Sequence, residues 1–339
     1  MATAEPLGVV MRRRNFLPVI AGAIAWPLAA RAQQSEPLRR ISVLSLLAET
    51  DAEEQAWDTA FKKRLAELGW TDGRNIRVDY RWGAGNVGRV QMFAKELVQL
   101  NPDVLVAITT PATAALQAET KTVPIVFAMV SDPVGSRLVA SFARPGANIT
   151  GFVNIEGSLG GKWLELMHRI APSVSRVALL FNPQTEPYAR YYLESFHAGA
   201  AALSVMAIEA PFHDAAEIES AMTNLGSTSD AGLVVMPGTS TTVHRELICA
   251  LAARFRLPAI YPFRYFIPSG GLLSYGIVPS DLLRGAASYV DRILRGAKPS
   301  DLPVQLPTKF EMVINLKAAK ALGLSLPQSV LIEADEVIE

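Results

Sequence analysis

The segment Val104-Leu-Val-Ala-Ile-Thr-Thr-Pro-Ala-Thr113 joins a run of five apolar residues to a polar turn that leads into a helix. An unbroken apolar run with three β-branched side chains is typical of a strand that is covered on both faces. Thr109 supplies a hydroxyl that can cap a helix, and Pro111 costs nothing near the first helical turn, where its missing N–H would be unpaired. The segment therefore predicts strand, turn and helix, the repeating unit of a parallel α/β sheet.

The same alternation continues on both sides of this segment and occurs in two successive series. The first series predicts strands at Ile41–Leu47, Ile76–Tyr80, Val104–Ile108 and Ile125–Ala128, with helices near Glu53–Leu68, Arg89–Leu100 and Thr113–Thr120. The second predicts strands at Arg176–Phe181, Ser204–Ile208, Gly232–Val235 and Pro258–Tyr261, with helices near Pro187–Ala202, Ala215–Leu225 and Thr242–Phe255. The expected fold is α/β, with two doubly wound parallel-sheet lobes.

The connections between the series indicate a hinge made of several strands. The turn in Ala143–Phe152 predicts a first crossing. Another apolar strand, Gly271–Gly276, precedes a helix near Asp281–Arg295 and an extended connection at Lys298–Pro303. We expect an N-terminal lobe over 33–150, a C-terminal lobe over 151–273, and a return crossing over 274–339 whose strand Phe310–Ile314 and helix Leu316–Leu322 pack on the lobes. Such hinges favour closure around a ligand.

The N-terminus predicts export. Arg13-Arg14 precede an uncharged run, Leu17–Ala30, and the small-residue site Ala30-Arg31-Ala32, which together are typical of a twin-arginine signal cleaved near Ala32. The apolar run is shorter than the ~20 residues of a membrane-spanning helix. Met11 directly precedes the basic cluster, so residues 1–10 are interpreted as an over-called start. We expect a periplasmic protein; a Sec route, a retained anchor and a cytoplasmic amphipathic start are the alternatives.

Composition and motifs exclude several functions. The 339 residues include 32 basic and 32 acidic ones, so the chain has no electrostatic footprint for nucleic acid. The single cysteine, Cys249, excludes an intramolecular disulfide. Gly83–Gly88 fits G-x-G-x-x-G, but it follows the second strand of its series, and the acidic residue nearest the expected spacing, Asp103, precedes its strand rather than ending it. No catalytic motif occurs and the four histidines are far apart, so we expect no enzyme activity, cofactor or metal site.

Candidate ligand residues lie after strands, because ligands of open α/β sheets bind beyond the carboxyl ends of the strands. The N-terminal candidates form a turn that could hold a carboxylate and a hydroxyl–carboxylate pair on the next strand: Thr110, Pro111, Ala112, Thr113, Ser131 and Asp132. The C-terminal candidates follow other strands and include aromatic rings and a guanidinium: Asn182, Thr185, Tyr188, Gly238, Thr239, Phe263, Arg264 and Tyr275. Helix capping, turn formation and core packing remain open as simpler roles for these residues.

The chain resembles the tryptophan/tyrosine-type ABC transporter substrate-binding family, which has the periplasmic binding protein type I architecture. The resemblance covers nearly the whole mature chain. Its motifs are Glu67–Trp70 with Gly73–Ile76, Pro124–Phe127, Ser131–Gly135, Arg144–Gly151 and Lys162–Leu166.

The resemblance implies a monomeric receptor that closes on a small organic ligand and delivers it to an inner-membrane permease and its ATPase. By analogy, Thr110–Thr113 would hold a carboxylate, while Asn182, Tyr188 and the loop after Val235 would close from the other lobe. Family members often carry an acidic or amide residue where this chain has Gly238, so a carboxylate without an α-amine suits the site better than an amino acid. An exported α/β enzyme and a ligand sensor for a membrane signalling protein are the alternative functions.

Overall fold

The structure, a computed structural model, describes Met1, Thr3, residues 38–154 and residues 156–339. All elements below lie within Arg39–Glu339. The predicted export signal lies outside the described residues, apart from Met1 and Thr3. Among the described residues, no helix combines the length and apolar character needed to cross a bilayer.

The first sheet has five parallel strands in the order β2-β1-β3-β4-β5. They are β1 (Arg39–Ser45), β2 (Ile76–Trp82), β3 (Val104–Ile108), β4 (Ile125–Val130) and β5 (Ile149–Val153). The helices that follow the first three strands are α1 (Ala52–Glu67), α2 (Val87–Gln99) and α3 (Thr110–Glu119). Every residue of β3 and β4 is buried, as expected for inner strands covered on both faces. This sheet and its helices form the N-terminal lobe.

The second sheet has seven strands in the order β12-β11-β10-β9-β8-β6-β7, and only β10 and β11 pair antiparallel. The strands are β6 (Arg176–Phe181), β7 (Met206–Pro211), β8 (Ala231–Val235), β9 (Ala259–Tyr261), β10 (Leu273–Ile277), β11 (Phe310–Asn315) and β12 (Glu336–Ile338). The remaining helices are α4 (Leu159–Ile170), α5 (Ala189–Leu203), α6 (Ala215–Gly226), α7 (Thr239–Val243), α8 (Arg245–Arg254), α9 (Pro279–Leu294), α10 (Leu316–Ala321) and α11 (Gln328–Glu333). This sheet and its helices, without α9, form the C-terminal lobe.

The chain crosses between the lobes three times. After β5 it enters the C-terminal lobe at α4, and after β10 it returns, because α9 packs on α1 and on the first sheet. The indole N–H of Trp70 donates to Asp291 of α9 at 2.8 Å. Gln305 then extends the first sheet along β5 through backbone bonds to Gly151 and Val153, both 2.9 Å, before the chain crosses to β11. The segment after residue 274 is thus divided between the two lobes.

Several predicted elements differ from the observed ones for local reasons. Thr110 is the first residue of α3, so Thr110–Thr113 is a helical turn and not a loop before the helix. The predicted helix Thr242–Phe255 is two helices that meet at His244. The predicted strand at Ser204 begins at Met206, since Ser204 ends α5 in the left-handed region with φ 57°.

Helix α4 was not predicted, because Gly160-Gly161 interrupts its apolar pattern. The structure explains the glycine at 160. A Cβ there would lie 2.5 Å from the Ser195 hydroxyl and from the Tyr192 carbonyl oxygen of α5. The glycine therefore lets α4 and α5 approach closely, which holds α5 and its tyrosines against the rest of the lobe.

Candidate functional site

A small cavity lies where the carboxyl ends of the two sheets meet. Its volume is about 20 Å³, which is room for a water-sized group. Its lining residues come from both lobes and from the first crossing: Leu47, Trp57, Thr109, Met129, Asn154, Tyr188, Gly238, Thr239, Thr242, Phe263 and Tyr265. Any solute of a dozen heavy atoms can enter only if the lobes separate or these side chains move.

The N-terminal wall of the cavity is conformationally strained. Thr109 follows β3 with φ 89° and Met129 lies in β4 with φ 57°, both in the left-handed region. For a β-branched residue this conformation costs of order 1–3 kcal/mol and persists only where neighbours enforce it. Here the N–H of Thr109 donates to Ala128 at 3.0 Å, and its carbonyl accepts from the N–H and the hydroxyl of Thr113. Such strain is concentrated at functional sites in proteins.

Two buried donors on this wall lack a partner among the described residues: the Thr109 hydroxyl and the Trp57 indole N–H. The two side chains belong to residues that are 8% and 3% exposed. A buried polar group without a hydrogen bond costs about 1–3 kcal/mol. A ligand that brings an acceptor to this wall would remove that cost, and the N-terminus of α3, which begins directly after Thr109, favours a negative charge there.

The C-terminal wall is built on Glu186, a fully buried carboxylate behind the cavity. It accepts from the Asn182 N–H at 2.5 Å, the Thr185 hydroxyl at 2.7 Å and the Ser240 N–H at 3.3 Å. Burial raises the pKa of Glu186 to about 7, and these hydrogen bonds oppose the rise. Glu186 thus joins the loop after β6 to the start of α7, and both segments line the cavity.

The structure explains why residue 238 is a glycine, which the sequence alone did not. A Cβ at this position would lie 2.2–2.6 Å from the carboxyl group and Cγ of Glu186. The two residues share one space, so the side chain of Glu186 occupies the volume that a larger residue at 238 would need. Where family members often carry an acidic or amide residue, this chain therefore has a glycine with the buried side chain of Glu186 directly behind it.

The other polar groups of the C-terminal wall bond to each other. The Thr242 and Tyr265 hydroxyls are 2.8 Å apart, and the Tyr188 hydroxyl donates to the Pro237 carbonyl at 3.3 Å. Burial raises the pKa of Tyr265 and Tyr188 above the ordinary tyrosine value. None of the eleven residues that line the cavity is charged. The aromatic residues of this wall are Tyr188, Phe263 and Tyr265.

Two contacts hold the lobes together beside the cavity. Arg245 of α8 pairs with Asp51, the N-cap of α1, at 3.0 Å, with side chains only 16% and 13% exposed. Among the ion pairs of the described residues, this one alone joins the lobes. Closer to the hinge, the Ser131 and Tyr192 hydroxyls are 3.0 Å apart.

Two larger clefts surround the cavity. The first, which we call the outer cleft, has a volume of about 720 Å³ and lies between α3 and the start of α5. The second, of about 680 Å³, lies between the Gly85–Gly88 turn and the loops at Asn182 and Ser240. The cavity and both clefts mark the region between the lobes as the place where a solute would be enclosed.

The sequence matches, over residues 40–338, the family described as ABC transporter substrate binding protein. The chain belongs to this family. Its members are non-enzymatic, extracytoplasmic solute-binding proteins, so the chain is a receptor for a small molecule.

Three relatives show how far the similarity extends. A conserved domain protein from Vibrio cholerae has 29% identity and a TM-score of 0.83, with 88% of this chain and 99% of that chain covered. A domain from Streptococcus pneumonia in complex with L-Trp has 28% identity and a TM-score of 0.82, with 89% and 100% covered. The tyrosine-binding protein of Clostridioides difficile is 27% identical over 267 residues, 78% of this chain and 75% of the relative.

Twelve of the fourteen predicted site residues lie in four locations. Tyr188, Gly238, Thr239 and Phe263 line the cavity. Thr110, Pro111 and Asp132 line the outer cleft, and Asn182 and Thr185 line the second cleft. Ala112, Thr113 and Ser131 are buried and line none of these three spaces. Asp132 and Asn182 also act as turn residues, since their side-chain oxygens accept from Gly135 at 2.8 Å and Gln184 at 2.9 Å.

Arg264 and Tyr275 line neither the cavity nor the two clefts. The Arg264 guanidinium pairs with Glu311 at 3.0 Å and Glu336 at 2.6 Å, so two carboxylates of the C-terminal segment already hold it. The ring of Tyr275 stacks on Phe310 in the second sheet. Arg264 follows β9 and Tyr275 lies within β10, and their side chains contact β11 and β12.

Sequence reasoning missed seven lining residues: Leu47, Trp57, Thr109, Met129, Asn154, Thr242 and Tyr265. Thr109 and Met129 immediately follow or end apolar strands, so the strand-end rule could have included them. Trp57 gives no such signal, because a tryptophan inside an amphipathic helix is indistinguishable from a core residue in sequence.

Proposed function

We propose that the protein is the periplasmic receptor of an ABC importer and that its ligand is a small aromatic carboxylate. The observation that carries this proposal is the asymmetry of the cavity. Two buried donors, the Trp57 indole N–H and the Thr109 hydroxyl, belong to lining residues, and Thr109 directly precedes α3, while the lining contains four aromatic rings and no charged residue.

The polar wall suits an anion. A carboxylate would accept from Trp57 and Thr109 and would interact favourably with the positive end of the α3 dipole. Hydrogen bonds to a charged acceptor contribute about 1.5–3 kcal/mol each. The rings of Trp57, Tyr188, Phe263 and Tyr265 offer an apolar enclosure for the remainder of the ligand, and aromatic pairs are stabilised beyond their area of contact.

The relatives support an aromatic ligand and raise the question of its amine. One is in complex with L-Trp and another is named a tyrosine-binding protein. An ammonium needs an acceptor, and burying it without one costs several kcal/mol. The carboxylate behind the wall, Glu186, already accepts hydrogen bonds from Asn182, Thr185 and Ser240 and lies behind Gly238. We therefore favour a ligand without an α-amine, and an aromatic amino acid is the second candidate.

Calorimetry on matched pairs tests this choice. We expect phenylpropionate to bind more tightly than phenylalanine, and indole-3-propionate more tightly than tryptophan. Leucine and 4-methylpentanoate serve as the aliphatic pair and should bind more weakly than the aromatic acids. A consistent preference for the amino acids would mean that a carboxylate reaches the amine and that the second candidate is correct.

Delivery to an inner-membrane permease and its ATPase, and export through the twin-arginine route, belong to the same proposal. The export part is supported by Arg13 and Arg14 before the uncharged run and by the Ala30-Arg31-Ala32 site. Changing both arginines to lysine should retain the precursor in the cytoplasm, as read by fractionation and immunoblotting. Mature protein in the periplasm at the wild-type level would exclude this route and favour Sec.

A further inference from the structure

Among the described residues, the cavity and the outer cleft have one lining residue in common. Tyr188 lines both spaces, and the consecutive residues Thr109 and Thr110 line the cavity and the outer cleft respectively. The Tyr188 ring and the backbone turn at Thr109, which we call the partition, therefore border both a space of about 20 Å³ and one of about 720 Å³.

The Tyr188 ring is held firmly in this position. The residue is 7% exposed, its hydroxyl donates to Pro237 at 3.3 Å, and its ring meets Tyr192 edge-on at 6.3 Å. Two residues earlier, Glu186 fixes the loop through its bonds to Asn182 and Ser240. The other half of the partition is backbone, so the ring is the part that a substitution can remove.

The outer cleft is suited to apolar groups. Its N-terminal wall is the face of α3 formed by Pro111, Ala114, Ala115 and Ala118, and Tyr191 of α5 lies on the opposite wall. Charged and amide side chains, such as Glu119 and Arg190, complete the lining. An alkyl or aryl extension of a ligand would find apolar surface there if the partition were open.

We propose that Tyr188 determines the maximum length of the ligand by closing the cavity toward the outer cleft. This inference rests on the proposed function. With the ring in place, a carboxylate whose polar end binds at Thr109 and Trp57 must fit between the four rings. Without the ring, the cavity and the outer cleft form one continuous space, and longer ligands gain apolar burial on α3.

The test compares two homologous series, from phenylacetate to 6-phenylhexanoate and the corresponding 2-amino acids, by calorimetry. In the wild type, affinity should rise with length and then fall sharply. In Tyr188→Ala it should keep rising by roughly fourfold for each further methylene, the value of one buried CH₂ group. Tyr188→Leu, a smaller change to the core, should shift the limit in the same direction. Tyr188→Phe retains the ring and should retain the limit.

Tyr191→Ala is the matched control, because Tyr191 lines the outer cleft but not the cavity. It should keep the wild-type limit. The same limit in the wild type, Tyr188→Ala and Tyr188→Leu, with all three folded by thermal melting, would overturn the role of Tyr188 and leave the ligand class intact. If no member of either series binds the wild type, the proposed ligand class is wrong and this inference falls with it.

Discussion

The two walls of the cavity occupy equivalent places in the fold and differ in chemistry. Each follows a parallel strand and leads into a helix: Thr109 connects β3 to α3, and Gly238 connects β8 to α7. On the N-terminal wall the donors lack partners among the described residues and the backbone is strained. On the C-terminal wall the first turn of the helix is already bonded to Glu186 of the same lobe.

This difference indicates that equivalent topology does not imply equivalent ligand contacts. A helix N-terminus binds an anion only where its N–H groups are not already bonded to one. At α7 a protein carboxylate takes that role, so the C-terminal lobe contributes enclosure. At α3 the position remains suited to a ligand. The rest of the fold must offset the cost of the strained backbone and of the missing hydrogen bonds.

The largest expected effect is that of the protonation of Glu186 on the free energy of unfolding. Its pKa is raised from 4.5 to about 7, so the folded protein binds this proton more tightly than the unfolded chain does. The resulting stability is fully present below pH 4.5 and is lost as the pH rises toward 7, by about 3 kcal/mol in total. The free energy of unfolding, measured with denaturant across this pH range, should fall more steeply with rising pH for the wild type than for Glu186→Gln.

Glu54 provides an independent comparison, because burial also raises its pKa to about 7 in the N-terminal lobe. Glu54→Gln should also make the unfolding free energy fall less steeply with rising pH, and the double variant should lose both contributions. Parallel curves for the wild type and Glu186→Gln would mean that Glu186 is ionised throughout. The Glu186 carboxylate would then occupy the N-terminus of α7 at every pH tested, which would contradict the raised pKa and strengthen the contrast between the walls.

The next effect concerns the ion pair between Asp51 and Arg245. Asp51→Asn keeps the helix cap but leaves the Arg245 guanidinium in a site where the pair is only 16% and 13% exposed. Removing one partner of a shielded pair destabilises the joined lobes, so we expect roughly 10- to 100-fold weaker binding of phenylpropionate. Stopped-flow kinetics should place most of the change in the dissociation rate.

The control for this prediction is Glu333→Gln, which breaks the Arg169 pair within the C-terminal lobe and should leave the affinity unchanged. A double-mutant cycle with Arg245→Met isolates the coupling between the two side chains. Tighter binding by Asp51→Asn would contradict the assignment of the anion to the N-terminal wall. It would mean that Arg245, once released from Asp51, attracts the carboxylate.

The sequence predicts the lobes well because long-range packing and local pattern agree in them. Inner strands such as β3 and β6 are continuous apolar runs, and alternation with helices leaves few arrangements other than parallel sheets. The connections between the two series indicated the hinge. The elements that sequence reasoning missed or shifted, such as α4 and the break at His244, depend on contacts with other elements, for example the close approach of α4 to α5 at Gly160.

The candidate site was less predictable for a physical reason. The strand-end rule identifies which loops surround a ligand, and it led to Tyr188, Gly238, Thr239 and Phe263. It does not say which side chains of a loop turn inward. Arg264 follows a strand as Phe263 does, yet it pairs with Glu311 on β11, a strand that comes 47 residues later. Only the assembled sheet brings those groups together.

The smallest expected effect isolates the N-terminal wall. Thr109→Val keeps the shape and branching of the side chain but removes a buried hydroxyl that lacks a partner among the described residues. We expect the unfolding free energy of the ligand-free protein to stay constant or rise by about 1 kcal/mol, while binding of phenylpropionate weakens roughly tenfold.

Thr113→Val is the matched variant one helical turn later. Its hydroxyl donates to the Thr109 carbonyl at 2.8 Å, so it should lower stability by about 1 kcal/mol. Opposite signs of the two stability changes, measured by urea unfolding, would support a hydroxyl at 109 that is kept for the ligand. If Thr109→Val destabilises the ligand-free protein as much as Thr113→Val, the hydroxyl has a structural partner in solution, and the N-terminal wall is as fully bonded as the C-terminal one.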